Sequence, residues 1–156
     1  MASFKRSGES VWTGGGKDGK GSLKTQSGAL SGLPYSAGMR FGEEKGTNPE
    51  ELLAAAHAAC FNMALAFNLS GSGNAPEELR TKAVVTIEQD GGGFTIKTVA
   101  LTLQGRVPGM SDEEFEKAAQ AAKEGCPVSK LFKGGAEITL DAQLSSEERT
   151  SAAARA

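Results

Sequence analysis

The sequence predicts an α+β domain with mostly antiparallel strand pairing, and three observations carry that prediction. A helical run without a breaker extends from Pro49 to Leu69. Two β-rich runs, Leu79 to Gln89 and Phe94 to Val107, flank Asp90-Gly91-Gly92-Gly93, a hairpin signal. Ahead of the helix, short β-prone runs alternate with glycine turns.

The elements follow in order. Ser10-Val11-Trp12-Thr13 reads as a strand, turned by Gly14-Gly15-Gly16 and Asp18-Gly19 into a second strand over Gly21 to Gln26. Met39-Arg40-Phe41 reads as a further short extended piece. The long helix has Asn48 as its cap, Pro49 at its first position and acids Glu50 and Glu51 in its first turn. At about 1.5 Å per residue it makes a rod of roughly 30 Å. Apolar residues cover nearly every face of it, which marks a buried helix. Its many alanines, Ala54 to Ala56, Ala58, Ala59, Ala64 and Ala66, permit a second helix to approach closely. After the β hairpin, Ser111-Asp112-Glu113-Glu114 opens another helix with a capping box, running to about Lys123 before Gly125. Cys126-Pro127 starts a helical turn reaching about Phe132, and Ala136 to Leu144 alternates as a last strand. The chain thus divides into one domain, residues 1–144, and a tail, 145–156, frayed or peripherally helical.

Composition narrows the function. The 156 residues suit one domain, and 17 basic against 19 acidic side chains give a net charge of −2. That balance, without basic runs, argues against nucleic-acid binding through phosphate neutralisation. The start lacks the apolar core of a signal peptide, and the stretch Leu52 to Leu69 is interrupted by His57, Asn62 and Asn68, so neither export nor a membrane role is expected. A cytoplasmic protein is expected, and there two cysteines are reactive or reduced rather than a structural disulfide. Two Cys and one His cannot close a four-ligand zinc site unaided.

Few residues remain to carry chemistry. Cys60 lies in mid-helix, where a cysteine is often just a small core side chain. Cys126 sits at a helix start, in Gly125-Cys126-Pro127-Val128-Ser129, where free N–H groups favour thiolate. As a redox pair the two need no further ligand: a thiolate opens a peroxide bond, becomes sulfenic acid and is captured by the second thiol. A mid-helix thiol needs a cation to ionise, and Arg40 is a candidate because guanidinium stays charged. Glu50 or Glu51 could hold that arginine. His57, three residues before Cys60, shares its helix face and raises a Cys–His acyl-transfer alternative, although a packed or hydrogen-bonded histidine is the plainer reading.

Thr47-Asn48-Pro49-Glu50-Glu51-Leu52, Ala56-His57-Ala58-Ala59-Cys60-Phe61 and Gly125-Cys126-Pro127-Val128-Ser129 together resemble the OsmC/Ohr family of osmotically inducible and organic hydroperoxide resistance proteins. The resemblance runs from about Ser10 to Leu144. His57 and Val128 are similar to the OsmC branch, since the other branch usually has Tyr at both positions. The resemblance implies an OsmC-like fold, antiparallel sheets wrapped around a long central helix in an intertwined homodimer. It implies a thiol-dependent reductase of organic hydroperoxides, slower on hydrogen peroxide, needing no metal or other cofactor. Cys60 would be the peroxidatic thiol and Cys126 the resolving one, with Arg40 and Glu50 as the polar partners of the reactive thiol and a lipoyl-type dithiol as reductant. A non-catalytic protein binding a small molecule on the same dimeric fold is the alternative.

Geometry adds one expectation. Glu50 and Cys60 lie ten residues apart on one helix, about 15 Å along its axis and about 80° apart in direction. Glu50 therefore cannot reach the sulfur of its own chain. Two such helices crossing antiparallel near Ala55 would bring Glu50 of one beside Cys60 of the other.

Overall fold

The computed structural model describes residues 1–135 and Thr139. Three strands, β1 (Gly8–Thr13), β2 (Lys20–Thr25) and β3 (Ser31–Ser36), form an antiparallel sheet in that order. Helices α1 (Ala37–Phe41) and α2 (Pro49–Gly71) follow, then the hairpin β4 (Glu78–Asp90) and β5 (Gly93–Arg106), and helices α3 (Asp112–Gly125) and α4 (Pro127–Phe132). The α+β class and the antiparallel pairing are as expected. The expected last strand, Ala136 to Leu144, and the tail 145–156 fall outside the described residues, apart from Thr139.

Two elements differ from the sequence reading. Met39-Arg40-Phe41 is helical, not extended. The Ser36 side chain accepts from the Met39 N–H at 3.1 Å, and the Gly42 N–H closes the helix on the Gly38 carbonyl at 2.9 Å. That cap outweighs the weak β preference of so short a run. Strand β3 was not expected, because Gly32 and Pro34 interrupt any alternation. It forms as an edge strand, where a proline's missing N–H costs no ladder bond. Tyr35 ties it across the sheet: its hydroxyl meets Ser10 Oγ at 2.6 Å and its ring leans on Trp12 with centroids 5.4 Å apart. Gly21 is the close approach that admits this ring, since a β-carbon there would strike Tyr35.

The β4–β5 turn is Gly91-Gly92, both with positive φ (58° and 91°), as a two-residue hairpin loop requires. The hairpin packs on α2, and an asparagine inside that apolar helix fixes the match. Asn62 accepts from the Thr81 hydroxyl at 2.6 Å and donates to the Leu79 carbonyl at 3.4 Å.

The core is a line on α2, His57, Phe61, Leu65 and Leu69, packed with Ala122 of α3 and with Cys126. The helical spacing of i and i+4 places these on one face. A second helix, α3, does pack on α2, but on the Phe61, Leu65 and Leu69 line, with Ala64 the one α2 alanine beside it. The opposite face differs from the expected buried helix. Ala55, Ala56, Ala59, Met63 and Phe67 are exposed in the single chain, Phe67 by 73%.

Candidate active site

Two groups of side chains sit on α2, one at its N-terminal end and one at its middle. At the end, the Asn48 side chain caps the helix by accepting from the Glu51 N–H at 2.9 Å. The same amide donates to the Met39 carbonyl at 3.4 Å, which ties α1 to the start of α2. Arg40 on α1 is thereby set against Glu50 in the first turn of α2. Its Nη2 donates to Glu50 Oε1 at 2.6 Å, and its Nε donates to both carboxylate oxygens at 3.1 and 3.2 Å. Bonding to Arg40 holds the Glu50 carboxyl below the usual carboxylate range, against the opposing effect of burial. Of the two acids offered by the sequence, Glu50 is the partner of Arg40; Glu51 is exposed. The guanidinium also lies 4.9 Å from the centre of the Phe41 ring, which itself stacks on Phe94 at 4.7 Å. Beside the ion pair opens a cleft of about 310 Å³ with an apolar wall from Ala54, Val85 and Ile87.

At the middle of α2, Cys60 is half-buried and adjoins Cys126, which is fully buried where α3 hands over to α4. Both are free thiols. Burial pushes Cys60 up from its ordinary value; a Val128 backbone hydrogen bond opposes this, and the neighbouring Cys126 adds to the rise. Burial pushes Cys126 up as well. The Ser129 backbone N–H, the Cys60 thiol, the Ser129 hydroxyl and the Val128 N–H more than offset it, and the net direction is down. The sulfur makes no capping hydrogen bond to α4.

Among the described residues no hydrogen bond or ion pair joins Arg40 to Cys60. The structure brings Arg40 to Glu50 and Cys60 to Cys126, and it keeps the two pairs apart along α2. The distance of about 15 Å from Glu50 to Cys60 that a helix imposes is therefore real in this fold. No group of three or more His, Cys, Asp or Glu among the described residues could hold a metal ion.

His57 belongs to neither pair directly. Its Nε2 lies 2.8 Å from Ser129 Oγ, its ring meets Phe132 edge-on at 5.1 Å, and Nδ1 has no hydrogen-bond partner among the described residues. Neither ring nitrogen bonds Cys60, so the Cys–His acyl-transfer geometry is not present. Burial lowers the His57 pKa and keeps the ring neutral. The sequence reading missed the role of Ser129, whose partner His57 is 72 residues away.

Residues 42–141 match the family model described as OsmC-like protein. The chain is 48% identical over 141 residues to Peroxiredoxin OsmC of Escherichia coli (strain K12), covering 90% of this chain and 97% of that one. It is 34% identical to organic hydroperoxide resistance protein OhrA of Bacillus subtilis (strain 168), over 72% of this chain and 76% of the relative. Among solved structures, an organic hydroperoxide resistance protein OsmC from Legionella pneumophila superposes with a TM-score of 0.65 at 26% identity, covering 86% of this chain and 93% of the other. With its long central helix, paired thiols and family match in agreement, the chain belongs to the OsmC-like family.

Proposed function

We propose that this chain reduces organic hydroperoxides to alcohols through Cys60 and Cys126 and that its active site is completed by a second copy of the chain. That it is a peroxidase enzyme follows from its family and from 48% identity to a peroxiredoxin. The residue roles rest on chemistry. A Cys60 thiolate attacks the peroxide O–O bond, leaving Cys60 sulfenic acid and an alkoxide that takes a proton to become the alcohol. Cys126 then attacks the Cys60 sulfur, the S–O bond breaks, and a disulfide forms with release of water. A dithiol of lipoyl type reopens the disulfide by exchange.

The observation that carries this reading is the adjacency of the only two cysteines, both reduced, at the contact of α2 with the α3–α4 junction. The second copy is called for by what one chain lacks. Cys60 is pushed toward the neutral thiol, and the guanidinium suited to ionise it is held by Glu50 at the start of α2. The exposed stripe Ala55, Ala56, Ala59, Met63 and Phe67 offers a small-residue surface on which two α2 helices can cross. Such a crossing delivers Arg40 and Glu50 of one protomer to Cys60 of its partner.

The test is stopped-flow oxidation of the reduced protein by an organic hydroperoxide, with free thiols counted afterwards. The expected result is rapid loss of two thiols, abolished in Cys60→Ser and arrested at sulfenic acid in Cys126→Ser. Unreactive thiols in a folded protein would overturn the reading.

A further inference from the structure

We infer that Phe94, beside the β4–β5 turn, is a positioning residue for Arg40: it packs on the Phe41 ring, and that ring fixes the plane of the guanidinium. The consequence for catalysis rests on the peroxidase reading; the contacts themselves stand on the chain.

Helix α1 has five residues, well short of the roughly 12–15 that an isolated helix needs to hold in water. What fixes Arg40 must therefore come from outside α1. Two contacts hold its backbone. Ser36 Oγ accepts from the Met39 N–H at 3.1 Å and donates to Glu44 Oε2 at 2.8 Å. The Asn48 amide donates to the Met39 carbonyl at 3.4 Å. None of these bonds involves the Arg40 side chain.

The guanidinium itself is held along one edge and over one ring. Glu50 takes the Nε–H and an Nη2 N–H, and the remaining N–H groups have no hydrogen-bond partner among the described residues. Those are the donors left to meet a thiolate or a peroxide oxygen. An edge contact alone lets the plane swing about the ion pair. The Phe41 ring, 4.9 Å from Cζ, opposes that swing.

Phe41 needs support in turn, because it is 52% exposed. Phe94 supplies it, with ring centroids 4.7 Å apart and planes at 21°. Phe94 pairs with Gln89 beside the Gly91-Gly92 turn and shares a face of the hairpin with Ile87. Ile87 in turn lines the cleft that holds Arg40 and Glu50. The hairpin that walls the cleft thus also fixes the guanidinium within it. Phe94 is itself 52% exposed, so filling a core does not account for an aromatic at this hairpin end.

The test compares Phe94→Ala, Phe94→Leu, Phe94→Tyr, Phe41→Leu and the Phe41→Leu/Phe94→Ala double variant, each checked for folding by circular dichroism. NMR reads the arginine directly. The Phe41 ring current shifts the Arg40 side-chain resonances, and Phe94→Ala should move them about half of the way to their positions in Phe41→Leu. Stopped flow reads the consequence. Phe94→Ala should slow oxidation of Cys60 by an organic hydroperoxide about fivefold, within the roughly 2- to 12-fold worth of an aromatic pair. Its pH profile should be displaced upward, because a misplaced guanidinium leaves less thiolate. Phe94→Tyr, which keeps the flat ring, should restore rate and profile. Phe94→Leu, which keeps bulk without the ring, should stay slow, and it replaces Phe94→Ala if that variant does not fold. Phe41→Leu should be at least as slow, and adding Phe94→Ala should slow it no further. Unmoved Arg40 resonances in folded Phe94→Ala or Phe94→Leu would overturn the inference, as would full additivity in the double variant or failure of Phe94→Tyr to restore. If the unaltered chain does not react with peroxide, the peroxidase reading falls, and the resonances still decide whether Phe94 positions Arg40.

Discussion

The two ends of the chemistry lie on one helix and are built in opposite ways. The Arg40–Glu50 end is charged, ion-paired and open to a cleft; the Cys60–Cys126 centre is closely packed and, among the described residues, bonded to no cation. Each is incomplete alone. On the proposed reading, the guanidinium held by Glu50 needs a nucleophile to activate, and the mid-helix thiol needs a charge to ionise it. Along α2, Glu50 and Cys60 are about 15 Å apart. On the proposed reading, the Ala-rich α2 both separates the two groups within one chain and offers the surface on which two chains would join them.

The comparison is broken most severely by blocking the crossing. Ala59→Glu places a charge on the exposed stripe of α2, where the single chain has room for it. Circular dichroism should show an unchanged fold, sedimentation a monomer, and peroxide consumption should drop to background. A smaller effect is expected from Glu50→Gln, which leaves Arg40 charged but loosely held. Loss of a charge-assisted bond of about 1.5–3 kcal/mol predicts a roughly 10- to 100-fold slower attack by Cys60, read by stopped flow.

The smallest effect separates the ends by their pH dependence. The folded pKa of His57 is lowered from 6.5, so the unfolded chain binds its proton first as pH falls. Its contribution to stability is full above 6.5 and declines from there toward the lowered folded value. The Glu50 contribution is present above its ordinary value of 4.5 and is lost only as pH falls through the lowered one. Urea midpoints measured across pH should therefore show two separate declines. His57→Gln should reduce the upper one, and Glu50→Gln the lower one, to which Glu114 and Glu124, also held low by their hydrogen bonds, contribute too.

What the sequence made legible was whatever local chemistry decides. Asn48 and Pro49 mark the start of α2, Ser111 and Glu114 the capping box of α3, and Gly91-Gly92 the β4–β5 turn, each through contacts within a few residues. The pairing of Arg40 with Glu50 was legible as residue types, although the sequence offered Glu51 equally. Strand β3 was illegible because its partner β2 and the Tyr35 ring, not its own Gly and Pro residues, make it extended. Helix α1 was misread because five residues carry little periodicity and Ser36 decides them. The burial of α2 was overread: an apolar face shows that something covers it, not that the same chain does. Ser129 escaped because its partner, His57, is 72 residues away in sequence.

The central claim is that Cys60 works with Arg40 of a second copy, and subunit mixing tests it most directly. Cys60→Ser and Arg40→Met, each inactive alone, would be unfolded together in equal amounts, refolded and assayed for hydroperoxide reduction. Random pairing by two-fold symmetry gives heterodimers carrying one complete site, so about a quarter of wild-type activity should return. A mixture that stays as inactive as its parents, with heterodimers demonstrated by mass spectrometry, would place the working arginine and thiol in the same chain and contradict the account.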